Sequence, residues 1–224
     1  MAAFVVGTVL SAFGAAIAEG ATGYHPGQGK AIPLGVTAAS LIGLWMGLLG
    51  GVWYASRTRG SGSLSRDFGL RLQWPKDVAL GAAAGLFSQY VLILLLYLPF
   101  EQLDPSLRHR LETPAKHDTA AVHGAGWITL LILLLAVGAP LVEELFFRGL
   151  LQRSLTRRFG PAVAVVGAAV VFGLAHFELL QLPALIAFGL VLAILAQRTG
   201  RLGPSIVAHA TFNAATVLTL TITR

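Results

Sequence analysis

Cysteine is absent from the 224 residues. No disulfide framework, thiolate metal site or cysteine nucleophile is therefore available. Charge is scarce too. Asp, Glu, Lys and Arg make up 12% of the chain, about half the share of an ordinary soluble domain. That excludes a disordered tail, a nucleic-acid-binding arm and a coiled coil, each of which needs many more charges. No nucleic-acid partner is expected. Apolar residues, in contrast, are abundant. Hydrophobic residues reach 55% and mean hydropathy is +0.74. A soluble globule of this length could not bury so much apolar surface. The composition implies an all-α, polytopic transmembrane helical bundle whose constant partner is the lipid bilayer.

A helix needs about 20 mostly apolar residues to cross the hydrocarbon core. Seven stretches qualify, roughly 2–18, 31–55, 78–99, 126–147, 161–178, 182–197 and 204–221, so the bundle is expected to have seven or eight helices. The first stretch begins Met1-Ala2-Ala3 without a basic residue. It is therefore expected to be a retained helix rather than a cleaved signal peptide. Topology follows from the cations. Arg57, Arg59, Arg66, Arg71 and Lys76, then Arg153, Arg157 and Arg158, then Arg198 and Arg201 fall on one side. Lys30, Arg108, Arg110, Lys116 and Arg224 fall on the other. The positive-inside rule makes the first set cytoplasmic. The expectation is an integral protein of the plasma (inner) membrane with its N-terminus inside. The net charge of +6 belongs to these loops. The loop 100–125 carries His109, His117 and His123, which read as solvated loop residues.

A charge within a span costs about 2.5–3.5 kcal/mol on insertion scales, so each one is a functional candidate. They are few. In Glu143-Glu144-Leu145-Phe146-Phe147-Arg148, Glu144 and Arg148 are four apart and can pair on a helix. Glu143 points about 100° away. This divides labour between one neutralised acid and one chemical acid. A plain interfacial salt bridge would explain Glu144 and Arg148 but leave Glu143 unpaired. Phe172 and His176 share a helical face, as do His209 and Asn213. Such polar side chains must meet a polar partner or water, either in an interhelical network or in one wet cavity. Residues 143 and 176 are symmetric about the Phe159-Gly160-Pro161 turn. An antiparallel hairpin would put them at equal depth, roughly 24–25 Å from that turn. His209 lies only about 9 Å along its helix from Gly203. Either segment 149–159 bends along the membrane surface, or the later helices are offset.

The three patterns E-E-x-x-x-R, F-x-x-x-H and H-x-x-x-N, at Glu143–Arg148, Phe172–His176 and His209–Asn213, resemble the CPBP family of CAAX-protease and bacteriocin-processing membrane proteins. That family, also called ABI, is typified by type II CAAX prenyl endopeptidases. The resemblance covers about residues 78–221. It implies an intramembrane protease core over 78–224, while hydropathy and charge alone give N-terminal transmembrane helices and a cytoplasmic loop over 1–77. It further implies an endopeptidase in which Glu143 is the general base and His176 its partner. His209 and Asn213 would stabilise the oxyanion, with Glu144, Arg148 and Phe172 in support. The substrate would be a peptide or a membrane-protein tail, of CAAX type or a small hydrophobic peptide. A raised carboxylate pKa in a low-dielectric cavity would suit such a base.

No cofactor is required on this reading. Members of the family are also called metalloproteases, and Glu143, His176 and His209 would then hold zinc with an open fourth position. No H-E-x-x-H is present, nor G-x-G-D, and Gly203-Pro204-Ser205-Ile206 matches the rhomboid G-x-S-G only in part. Two other classes remain open on sequence. One is a non-catalytic membrane partner or immunity protein whose polar cluster is structural. The other is a small proton-coupled transporter, although no internal repeat is visible.

Overall fold

The computed structural model describes residues 1–26, 31–111, 113 and 124–222. His117 and His123, and Lys30, Lys116 and Arg224 of the charge count, lie outside the described residues. Among the described residues the chain is helical and contains no strand. The main helices are α1 (Ala2–Thr22), α2 (Leu34–Arg59), the short α3 (Leu64–Phe68), α4 (Lys76–Leu103), α5 (Ala125–Phe159), α6 (Pro161–Leu174), α7 (Leu182–Thr199) and α8 (Gly203–Ile222). Five of them, α1, α2, α4, α5 and α7, are long and apolar enough to cross a membrane. The chain is therefore an integral membrane protein, as its composition implies.

One expected span differs from that pattern. Helix α6 has 14 residues and ends at Leu174, short of the expected 178. Helix α8 has 20 residues, in line with the expected stretch 204–221. These are the helices that carry or border the His motifs.

Helices α1 and α2 run antiparallel and touch through small residues. A Cβ added at Gly47 would sit 2.3 Å from the Gly7 Cα, and one at Gly43 would sit 2.3 Å from the Leu10 carbonyl oxygen. Gly43, Gly47 and Gly51 are spaced by four, so they line one face of α2 and let the two backbones approach. The same device sets α4 beside α8, where Gly81 meets Val207 and Gly85 meets the Ala208 carbonyl and Thr211. One apolar core joins the N-terminal helices to the rest. Leu48 and Val52 of α2 pack with Phe146 and Phe147 of α5, Phe172 of α6 and Phe188 and Leu192 of α7.

Helix α5 spans 35 residues, about 50 Å, well beyond a hydrocarbon core of about 30 Å. It contains two wide, π-helical stretches, Leu133–Gly138 and Leu145–Gln152. The first ends just before Pro140. A proline ring collides with the carbonyl four residues back and offers no N–H, so the helix widens there. The Ala139 N–H reaches five residues back to the Leu134 carbonyl. Next in that series would be Pro140, so the Leu135 carbonyl is left without a partner on its own helix.

The three basic segments meet at one end of the bundle. Arg201 grips Asp77 through both its Nε (2.7 Å to Oδ2) and its Nη2 (2.6 Å to Oδ1). Leu202 N donates to Gly69 O (2.8 Å) and Gly203 N to Arg71 O (3.0 Å). Arg153 Nη2 donates to Gly200 O at 2.7 Å. These bonds decide between the two arrangements left open for His209. Segment 149–159 does not bend away, because α5 runs on to Phe159. Instead the α7–α8 turn is offset. It docks at the level of Arg153, so the end of α5 overhangs it by roughly 10 Å.

Candidate active site

Helices α5 and α6 form the antiparallel hairpin expected from the symmetry about residue 159.5. Phe147 and Phe172 meet edge to face at 5.3 Å, and Gly167 faces Leu155. That register carries position 143 to the level of position 176. The offset of the α7–α8 turn brings α8 in at the matching height. From Arg153 back to Glu144 is the same number of residues as from Gly200 on to His209, and these two side chains meet.

The buried part of the site is a chain of three charged or polar groups. Arg148 Nη1 donates to Glu144 Oε1 at 2.8 Å, and Arg148 Nη2 donates to the Gly189 carbonyl at 3.2 Å. His209 Nδ1 lies 3.1 Å from the same Glu144 Oε1. A carboxylate only accepts, so Nδ1 carries the proton in this bond. Glu144 and Arg148 are 0% and 1% exposed and His209 is 3% exposed. The chain therefore ties α5 to α7 and α8 with the pair out of contact with bulk solvent. Removing Arg148 would strand a buried carboxylate, a change that costs about 3–5 kcal/mol in comparable pairs.

Aromatic rings hold this chain in place. The Arg148 guanidinium lies 4.3 Å from the centroid of Phe172. The His209 ring is met edge-on by Phe172 at 5.7 Å and by Phe188 at 5.5 Å. Phe172 also meets His176 at 4.7 Å. The phenylalanine of the second motif is thus the hub on which both histidines and the arginine rest. With two rings against it, His209 has little freedom to turn away from Glu144.

Glu143 faces the other way, as its 100° offset from Glu144 implies. Its side chain is 13% exposed, and its Oε2 lies 3.9 Å from His209 Nε2. That is beyond hydrogen-bond length. His209 therefore stands between two carboxylates, bonded to Glu144 and facing Glu143. His176 sits past the end of α6, in the turn that follows Leu174, rather than inside a helix. Its Nδ1 donates to the Phe172 carbonyl at 2.8 Å, which leaves Nε2 unengaged. The spacing of four from Phe172 is used for this backbone cap.

Asn213 does not point at the carboxylates with its whole amide. Its Nδ2 donates to the Leu135 carbonyl at 2.7 Å, the oxygen freed by the π-helical stretch before Pro140. One N–H and the amide oxygen remain.

Among the described residues, five buried side-chain polar atoms lack a partner: Trp45 Nε1, Glu143 Oε2, Glu144 Oε2, Arg148 Nε and Gln152 Oε1. Three of the five belong to this cluster, and Gln152 lies one turn beyond Arg148. Unsatisfied buried groups are rare in folded proteins and concentrate where water, substrate or an ion is handled. Behind the cluster, Arg148 and Gln152 border a cavity of about 250 Å³ with Arg153, Thr156 and Gln197. Gln152 Nε2 donates to the Ala193 carbonyl at 2.9 Å. Sequence reasoning missed Gln152, Phe188 and the Gly189 carbonyl. Only Phe188-Gly189, which repeats the Phe172-Gly173 pair, hinted at them.

The zinc alternative needs Glu143, His176 and His209 around one point. Among the described residues no three His, Cys, Asp or Glu side chains are grouped closely enough to hold a metal ion. As placed, these three side chains do not form that centre.

Comparison with known proteins bears on the same segment. Residues 125–215 match the family described as "Type II CAAX prenyl endopeptidase Rce1-like". A protein of Bacillus subtilis (strain 168), named "Putative membrane peptidase YdiL", is 30% identical over 91 residues, which cover 41% of this chain and 37% of that protein. The chain thus spans little more than a third of the curated relative it matches. No solved structure matches it significantly. The matched stretch holds all three motifs. Over residues 125–215 the chain is accordingly similar to the type II CAAX prenyl endopeptidase Rce1-like family.

Proposed function

We propose that the protein is an intramembrane endopeptidase that hydrolyses peptide bonds with a water activated by Glu143. The observation that carries this reading is the division between two adjacent carboxylates. Glu144 is fully buried, with Oε1 tied to both Arg148 and His209, while Glu143 makes no hydrogen bond among the described residues and keeps its side chain 13% exposed. Only a carboxylate that water can reach can take a proton from it.

The residues divide the reaction as follows. Glu143 removes a proton from water as the water oxygen attacks the peptide carbonyl carbon. His176, with Nδ1 committed to Phe172, offers Nε2 as acceptor for the other water hydrogen. The carbonyl oxygen becomes an oxyanion. His209 Nε2 faces Glu143 and donates to that oxyanion when the ring is protonated on both nitrogens. The free N–H of Asn213 is the second donor. As the C–N bond breaks, Glu143 returns its proton to the leaving amine. Glu144, Arg148 and Phe172 hold His209 in orientation and do not touch the reacting atoms. No metal enters this scheme. The substrate class is a short hydrophobic peptide or a membrane-protein tail, and the orientation consistent with the basic end is N-terminus inside, in the plasma membrane.

Purified protein carrying Glu143→Gln, which preserves shape and removes the base, should lose cleavage of a permissive peptide by at least a hundredfold while its unfolding midpoint stays put. Retained activity would overturn the assignment. Metal content measured on the same wild-type sample separates the two mechanisms. Stoichiometric zinc, with chelator inactivation reversed by zinc, would replace the water-and-glutamate scheme with a metal one.

A further inference from the structure

The basic end of the bundle contains a second cavity, remote from Glu143 and independent of the peptidase reading. It has a volume of about 870 Å³ and lies between the end of α2, α3 and the overhanging end of α5. Arg59, Arg66, Arg153 and Arg157 line it, together with Tyr54 and one acid, Asp67.

That acid does not neutralise the arginines. Asp67 Oδ1 accepts from both the N–H and the hydroxyl of Ser61, each at 2.8 Å, and Oδ2 accepts from the Ser56 hydroxyl. Among the described residues no carboxylate lies within ion-pair distance of Arg59, Arg66 or Arg157. Arg153 spends one nitrogen on Gly200 O and has Arg157 and Arg71 as charged neighbours. Four guanidinium groups therefore surround one space with a single committed carboxylate. Such crowding is unfavourable unless an anion shares the space.

The position of the cavity identifies the anion. Trp53, Tyr54 and Trp74 are 60%, 63% and 74% exposed at this end of the bundle. The Arg57 guanidinium sits 5.9 Å over the Trp53 ring. Exposed Trp and Tyr at one level of an integral membrane protein mark the headgroup region. The volume is in the range that holds a drug-sized ligand, far more than a bare phosphate needs. We propose that this cavity binds the phosphodiester headgroup of an anionic phospholipid, with Arg66 and Arg157 as its principal ligands and Arg59 and Arg153 beside them.

Native mass spectrometry of the full chain, released from micelles doped with phosphatidylglycerol, phosphatidylcholine or neither, reads this directly. Phosphatidylglycerol should be retained in preference to phosphatidylcholine. The double change Arg66→Gln with Arg157→Gln should lower its retention about thirtyfold, at about fivefold per cation. Arg198→Gln, which alters an exposed cation at the same end but outside the cavity, should change it less than twofold. Equal retention of phosphatidylcholine, or an equal loss in Arg198→Gln, would overturn the site in favour of a diffuse surface charge. Complete displacement by millimolar inorganic phosphate through the same two arginines would overturn the lipid assignment in favour of a free anion. If the double variant does not fold, Arg59→Gln alone must lower retention about fivefold, and no change there would equally refute the site.

Discussion

Asn213 offers a test of how the site is braced. The Leu135 carbonyl is orphaned because the residue that would bond it, Pro140, has no N–H. Asn213 supplies the missing donor at 2.7 Å. Asn213→Ala leaves that carbonyl unpaired inside the bundle. An unsatisfied buried acceptor costs about 1–3 kcal/mol, and interhelical hydrogen bonds in membrane proteins average about 0.6 kcal/mol, with about 1.7 as the upper end. The expected loss is therefore about 1–2 kcal/mol. Pro140→Ala restores an N–H at the position the π-helical stretch lacks, so the carbonyl can be taken within α5. In that background Asn213→Ala should cost less than about 0.5 kcal/mol. The two changes should be coupled by about 1 kcal/mol, which is well outside the additivity expected of independent sites. Reversible unfolding in mixed micelles, run on the four proteins of the cycle, measures this. The cycle cancels whatever Pro140→Ala does to packing on its own. Strict additivity would refute the argument that Asn213 serves the proline-freed carbonyl.

Two further outcomes follow from the geometry away from the site. Gly47→Leu must force α1 from α2, because even a Cβ there would lie 2.3 Å from the Gly7 Cα; overpacking of this kind costs about 1–3 kcal/mol or more. Gly50→Leu on the same helix meets nothing within 4 Å and should leave the unfolding midpoint unchanged, so equal effects from the two would refute the close approach. Asp67 is held at about 2, below its ordinary 3.8, chiefly by the Ser56 hydroxyl and then by the Ser61 N–H. Its contribution to the α2–α3 corner is complete above about pH 4 and is lost as pH falls through about 2. The stability gap between wild type and Asp67→Asn should therefore be flat from pH 7 to 5 and close between about 4 and 2; a gap that closes already near pH 6 would refute it.

Local spacing made part of this legible in the sequence. The Glu144–Arg148 pair needed only a helical repeat, and the 3.6-residue turn also fixed that Glu143 would face elsewhere. The hairpin of α5 and α6 followed from the Gly160-Pro161 stop-and-start signal. The scarcity of charge told which polar residues to watch. The end of α6 was not legible. Residues 175–181 carry no glycine or proline, so nothing in their composition separates a fifth turn of helix from the cap that His176 makes on Phe172. That local bond and the left-handed backbone of Phe177 (φ 56°) mark the end of the helix.

The depth of His209 was legible only as a choice, and the reason lies in which contacts decide it. Along α8 its position is fixed by counting from Gly203, but the height of Gly203 is not a property of α8. It is set by Arg153 on Gly200, by the backbone bonds from Leu202 and Gly203 to the 69–71 strip, and by Asp77 on Arg201. Those partners come from two separate basic segments, 56–77 and 149–160. The loops were chosen in the sequence for their positive charge, as topology signals, yet some of the same residues raise the α7–α8 turn into the bundle until His209 reaches Glu144. Arg153 and Arg201 thus act twice, once on the membrane's electrostatics and once as the struts that set the register of the third motif. A charge count can recover the first role. The second depends on which backbone carbonyl or carboxylate each guanidinium finds, and that is decided only when α4, α5 and α8 are packed together. The site is accordingly read from its motifs but assembled by residues that lie outside all three of them.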